Sequence, residues 1–295
     1  MSNPEPVPPS PRLPLSASPR LPLSASPPSP SRRWTKWVAF ALAVATIGAY
    51  LTLTPGGILD KADLVAYAVC HRIESHSFIF AGRQLPLCAR CTGTFLGAMT
   101  GLLGQALVLR RRRESEFPPL PILALLVGFI LLMGFDGLNS YLALIGMPHL
   151  YEPQQWLRLI TGTLNGLALS AILLPTVHFS LWRDPLPQRV IGGWRDLGVL
   201  LAMEAGAVLL VLSGWDLLLV PLALLSAAGV LTMLTLVSTV LVAMATGQEN
   251  RYAGWWDARA PLLTGIAAAF LIVGGIDLLR YGLTGTLEGF PELGR

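Results

Sequence analysis

Seven stretches of the chain are apolar over the length a bilayer demands, and this limits the available folds more than any other feature. They cover about 34–54, 92–109, 119–135, 157–181, 197–213, 217–246 and 260–281. A hydrocarbon core needs roughly 17–25 mostly apolar residues per helix, and lipid leaves backbone polar groups no partner outside a helix or a closed barrel. The runs lack the polar face that a soluble amphipathic helix repeats every turn. With 53% hydrophobic and 13% charged residues, the chain falls outside ordinary soluble composition. The expectation is an all-α, polytopic transmembrane helix bundle of about seven spans.

The net charge of +4 does not point to nucleic acid, because the basic residues sit in short clusters at the ends of apolar runs. Such clusters set topology. With the N-terminus in the cytoplasm, two thirds of the 21 Lys and Arg residues fall inside, among them the run Arg110 to Arg113. That orientation, in a prokaryotic cell membrane, is adopted as the expectation, and it puts residues 70–91 on the outer face. The expected partners are the lipid bilayer and other membrane proteins.

Three regions follow. Residues 1–33 are rich in Pro and Ser and repeat PRLPLSAS in tandem at 11–18 and 19–26, a composition expected to stay disordered. The apolar run behind this tail comes too late for a secretory signal and reads as an anchor. Residues 34–181 form a membrane core with a Cys/His loop, and 182–295 supply the C-terminal transmembrane helices.

All three cysteines and two of the four histidines lie within residues 70–91, CHRIESHSFIFAGRQLPLCARC. Cys88 and Cys91 are three apart at the start of the second run. They share one face of a helix whose positive end, with Arg90 beside it, favours thiolates. Cys70 and His71 close an amphipathic stretch, DKADLVAYAVCHR, expected to be a short interfacial helix, and AGRQLP reads as the turn back.

Three chemistries fit this window. One is a metal site, with Cys70, Cys88, Cys91 and His71 or His76 as a Cys3His set for zinc or another transition metal. A second is a membrane thiol-disulfide oxidoreductase in which Cys88 and Cys91 cycle and Cys70 forms a mixed disulfide. The third is a structural disulfide with one buried thiol. His149 and His178, at run ends, read as interfacial residues.

The same threading carries Asp136, Asn139, Gln154 and Arg158 to the level of the cysteines, where Asp136 and Arg158 are natural ion-pair partners. Small residues spaced by four, Gly93, Gly97 and Gly101 on run two and Gly162, Gly166 and Ser170 on run four, predict that these two helices touch. Glu204 and Asp277 are single carboxylates inside runs five and seven. They leave open a transporter or an accessory subunit of a membrane complex, with a hydrogen bond to a neighbouring helix as the commoner role. RYAGWWDAR before run seven reads as an aromatic and basic interface anchor. No phosphate loop, H-E-x-x-H, dinucleotide fingerprint or G-x-S-x-G motif is present.

The combination CHRIESHSF…LPLCARCTGTFLG, then FDGLNS, then LRLITGTLNG resembles the bacterial and archaeal membrane proteins grouped as domain of unknown function 2085, over residues 65–175. The resemblance implies one shared site made of Cys70, His71, Arg72, Cys88, Arg90, Cys91, Asp136, Asn139 and Arg158. One position departs from the family pattern: Leu138, Asn139 and Ser140 stand where its members often carry Gln shortly after Asp-Gly.

Overall fold

The computed structural model describes residues 31–287, so the Pro/Ser-rich tail and its tandem repeat lie outside the described residues. The described residues form eight α-helices: α1 (Ser31–Leu53), α2 (Ile58–Tyr67), α3 (Ala89–Leu103), α4 (Leu120–Leu144), α5 (Gln155–Leu181), α6 (Trp194–Leu212), α7 (Leu219–Ala245) and α8 (Arg259–Thr284). Among the described residues, six helical segments are long and apolar enough to cross a membrane, one on each of α1, α3, α4, α5, α7 and α8. Run five appears as α6, whose 19 residues carry Arg195, Asp196 and Glu204. It still travels from one face to the other: Asp196 near its start pairs with Arg111, and beyond its far end Asp216 accepts from Ala81 in the cysteine loop at 2.5 Å.

The helices alternate in direction and so sort their connections into two faces. On one lie the loop 68–88, the turn 145–154, the α6–α7 connection and the end of α8. On the other lie the Arg110–Arg113 run and the connections after α5 and α7. The second face is stitched by backbone. Strand β3 (Glu114–Glu116) pairs in parallel with β4 (Leu186–Arg189), counting after the small hairpin strands β1 (Ile79–Phe80) and β2 (Arg83–Gln84) of the cysteine loop. Trp182 bridges to Tyr252 on this same face.

α5 is the central post, with 67% of its span buried, against 17% for α4, which faces outward. Its closest neighbour is α3, as the glycine stripes predict. A Cβ on Gly97 would sit 2.5 Å from the carbonyl of Thr163, and one on Gly162 or Gly166 would strike the carbonyl of Arg90 or Thr94. Only glycine lets the two backbones come this close. α7 packs on α3 in the same way, Gly229 meeting the Phe95 backbone.

Two local expectations change. α4 does not end near residue 135 but runs on to Leu144. The polar residues that lower hydropathy there, Asp136, Asn139 and Ser140, are buried and partnered, so falling hydropathy marks a site and not a helix end. α2 stops at Tyr67, short of Cys70, and buries Ala62, Leu64, Val65, Ala66 and Tyr67. It is a packed element of the bundle and does not lie flat on an interface, because its apolar face has α7 to cover it.

Candidate thiol centre and its polar surround

The loop 68–88 is held in one shape before any ligand is considered. Ala81 (φ 47°) and Gly82 (φ 72°) form the tight turn between β1 and β2. Gln84 donates to the Arg72 carbonyl at 3.2 Å and to Ser77 Oγ at 2.8 Å, and Ser77 donates to the Ile73 carbonyl at 2.9 Å. Arg72, in the left-handed region at φ 52°, is anchored by Asp63 at 3.2 Å. Arg83 pairs with Asp60 and Asp63 at 2.7 and 2.8 Å. α2 and the loop therefore move as one piece.

That piece sets Cys70 against the start of α3. Cys88 caps the helix and Cys91 lies in its first turn, so both sulfurs face one side. The three sulfurs fall within 4.8 Å of one another, and no disulfide joins them. Cys70 and Cys88 are almost fully buried. Cys70 Sγ accepts the backbone N–H of Cys88 at 3.3 Å and of Arg72 at 3.5 Å. Hydrogen bonding with the Cys88 and Cys91 thiols, assisted by the Cys88 amide, holds the Cys70 thiol well below the ordinary range, and the same sharing with Cys70 pushes Cys88 up.

His71 is next to the centre but turned aside. Its Nδ1 accepts the Ile73 N–H at 3.1 Å, which leaves the neutral ring with its proton on Nε2 and no lone pair for a metal. His71 and His76 meet edge to face at 5.5 Å. Both imidazoles are pushed down, His76 to about 4, by burial first and then by the field of nearby guanidiniums, Arg158 and Arg90 among them.

Arg280 reaches in from α8, stacks 3.8 Å over the Tyr67 ring and donates to the carbonyls of Cys70, at 2.8 Å, and Tyr67. It ties the C-terminal helix to the cysteine loop. Arg280 had no assigned role in the sequence reading, where it was only another cation near a helix end.

Asp136 does not pair with Arg158 as expected. Its partner is Arg90, at 2.6 Å from Nη2 and 3.1 Å from Nε. Arg90 starts α3 and points across to α4, whereas Arg158 on α5 lies on the far side of Ser140. Asp136 is further held by Tyr151 at 2.8 Å and Thr161 at 3.4 Å. Asn139 clamps the 145–154 turn through the Leu150 N–H and the Tyr151 carbonyl, both at 2.8 Å. Tyr151, which composition and spacing passed over, has its phenol pushed up to about 12 by burial and by Asp136.

The remaining candidates lie elsewhere. Glu204 is buried and neither of its oxygens has a hydrogen-bond partner. Asp277 lines an apolar cavity of about 700 Å³ between α1, α2 and α8. His149 sits in the 145–154 turn against Glu152 at 3.1 Å. His178 is buried at the opposite face, bonded to the Glu114 carbonyl at 2.8 Å.

Fold and site together define an α-helical integral membrane protein with a buried three-thiol cluster at one membrane face. Comparison with known proteins agrees and is more specific. The family model described as "Predicted membrane protein (DUF2085)" matches residues 70–172, and the chain belongs to that family. An uncharacterised protein of Methanothermobacter thermautotrophicus is 35% identical over 113 residues, which is 38% of this chain and 91% of the relative. An uncharacterised protein of Methanocaldococcus jannaschii is 27% identical over 107 residues, 36% of this chain and 62% of that relative. No solved structure matches. The shared region holds the thiol cluster, Arg90, Asp136 and Arg158, and excludes α6, α7 and α8.

Proposed function

We propose that the protein is a metal-binding membrane module in which Cys70, Cys88 and Cys91 hold one thiophilic ion, zinc being the first choice, on the outer side of a prokaryotic cell membrane. The observation that carries the reading is the convergence of three unbonded sulfurs within 4.8 Å. Thiolates around a tetrahedral zinc, with Zn–S near 2.3 Å, lie about 3.8 Å apart, and the cluster admits that spacing. The amides that Arg72 and Cys88 aim at Cys70 Sγ stabilise a thiolate whether it is free or metal-bound. His71 joins the set only by turning its ring and giving up the Ile73 bond. A bound ion would link the α2 loop to the head of α3 as a closed structural crosslink.

The test is elemental analysis of the purified protein with a count of reactive thiols. One zinc per chain, lost in Cys88→Ser together with thiol protection, is the expected result. Metal-free protein whose Cys88 and Cys91 interconvert between thiol and disulfide on treatment with a quinone or dithiothreitol would replace this reading with the oxidoreductase. Metal-free protein with a single free thiol would replace it with the disulfide staple.

A further inference from the structure

The apolar cavity of about 700 Å³ between α1, α2 and α8 is of ligand size, small-molecule pockets running to roughly 300–1,000 Å³. Among the described residues its one charged lining group is Asp277, 7% exposed, whose buried oxygen Oδ1 has no hydrogen-bond partner. No described cation lies within ion-pair distance of this carboxylate. Arg280, one turn further along α8, acts on it through space, but its guanidinium is turned to the Tyr67 ring and to the carbonyls of Tyr67 and Cys70. The hydroxyls of Thr46, Tyr50 and Thr54 in the cavity wall are spent on backbone carbonyls. A carboxylate taken out of water and left short of partners is costly, so a cation entering this cavity would be stabilised by it. The aromatic residues add to the same preference. Tyr50, Phe270 and Tyr281 line the cavity, and the first two rings meet edge to face at 5.2 Å. An ammonium is drawn to aromatic faces as well as to a carboxylate. Gly274 and Gly275 keep the wall open, since a Cβ on either meets nothing within 4 Å.

We infer that this cavity is a binding site for a lipophilic ammonium, one cationic head on an apolar body, with Asp277 as its counter-ion and the rings of Tyr50, Phe270 and Tyr281 around it. Leu271 and Leu278 line the cavity and are exposed, so it opens toward lipid and takes its ligand from the bilayer. A zwitterionic phospholipid is a poorer fit, because its phosphate would travel with the ammonium toward a carboxylate. The site uses none of the thiols.

Thermal unfolding of the full chain in a non-ionic detergent at pH 7, where an alkylamine carries its charge, tests the site with dodecylamine against dodecanol. The unfolding midpoint of the wild type is expected to rise with the logarithm of dodecylamine concentration, and dodecanol to give a much smaller rise. Asp277→Asn keeps the shape of the side chain and should shift the response to about thirtyfold higher concentration or more, as when one partner of a buried charge pair is lost. Gly274→Leu places a side chain in the open space of the cavity and should abolish the response. If dodecylamine gives no rise in the wild type, if dodecanol matches it, or if Asp277→Asn responds at the same concentrations, the ammonium site does not exist. A response that Gly274→Leu retains puts the amine elsewhere on the protein and overturns the assignment equally.

Discussion

The two membrane faces both carry charged residues and use them differently. At the opposite face Arg111 meets Asp196 at 3.1 Å and Glu114 at 4.0 Å, Arg189 meets Glu116 at 4.0 Å, and β3 and β4 stitch the backbone. Its main ion pair is about a quarter exposed on each side, so water shares the work of solvating it. At the cysteine face Asp136 on α4 is 1% exposed, its partners come from α3, α5 and the turn before α5, and a thiol cluster and a buried guanidinium lie alongside. The difference teaches that the first face fastens helix ends together. The second gathers chemical groups at a depth where each needs a partner, and it leaves Arg158 without a carboxylate.

That contrast is open to measurement. Asp136→Ala strands the partly buried guanidinium of Arg90 and is expected to destabilise the protein by about 3 kcal/mol, read as a large fall in unfolding midpoint or loss of folded material. A change under 1 kcal/mol would erase the distinction between the faces. Gly162→Ala drives a Cβ into the Arg90 carbonyl and should cost about 1–3 kcal/mol by forcing α3 from α5. Gly193→Ala at the opposite face, where a Cβ meets nothing within 4 Å, should cost less, about 0.5–1 kcal/mol, because alanine is a poorer N-cap of α6 than glycine. Tyr151→Phe removes one hydrogen bond to a buried carboxylate and should cost about 1.5 kcal/mol, leaving metal content unchanged. Asp196→Ala is the smallest, about 0–1 kcal/mol for a part-exposed pair. A loss as large as that of Asp136→Ala would show the opposite face to be equally dependent on charge.

Much of the fold was legible in the chain. The apolar runs marked the spans, and Gly93, Gly97, Gly101, Gly162 and Gly166 marked the α3–α5 contact, because close approach requires residues without side chains. The gathering of Cys70, Cys88 and Cys91 was legible too, since Cys88 and Cys91 open a helix and Cys70 precedes the short loop that returns to it. Partner choice was not. Asp136 and Arg158 look matched by level in the bilayer, yet level fixes only one coordinate, and rotation about each helix axis decided that Arg90 takes the carboxylate. Tyr151 and Arg280 carried no signal of their own, a turn aromatic and a terminal cation being common at interfaces.

The sequence by itself determined that this chain is a helical membrane protein and which residues stand at the cysteine face, because hydrophobic length and charge position act along one dimension. Only the tertiary structure decided which of those residues touch. That depends on helix rotation and on how nearly two backbones approach, and both are set by side-chain packing summed over the whole bundle.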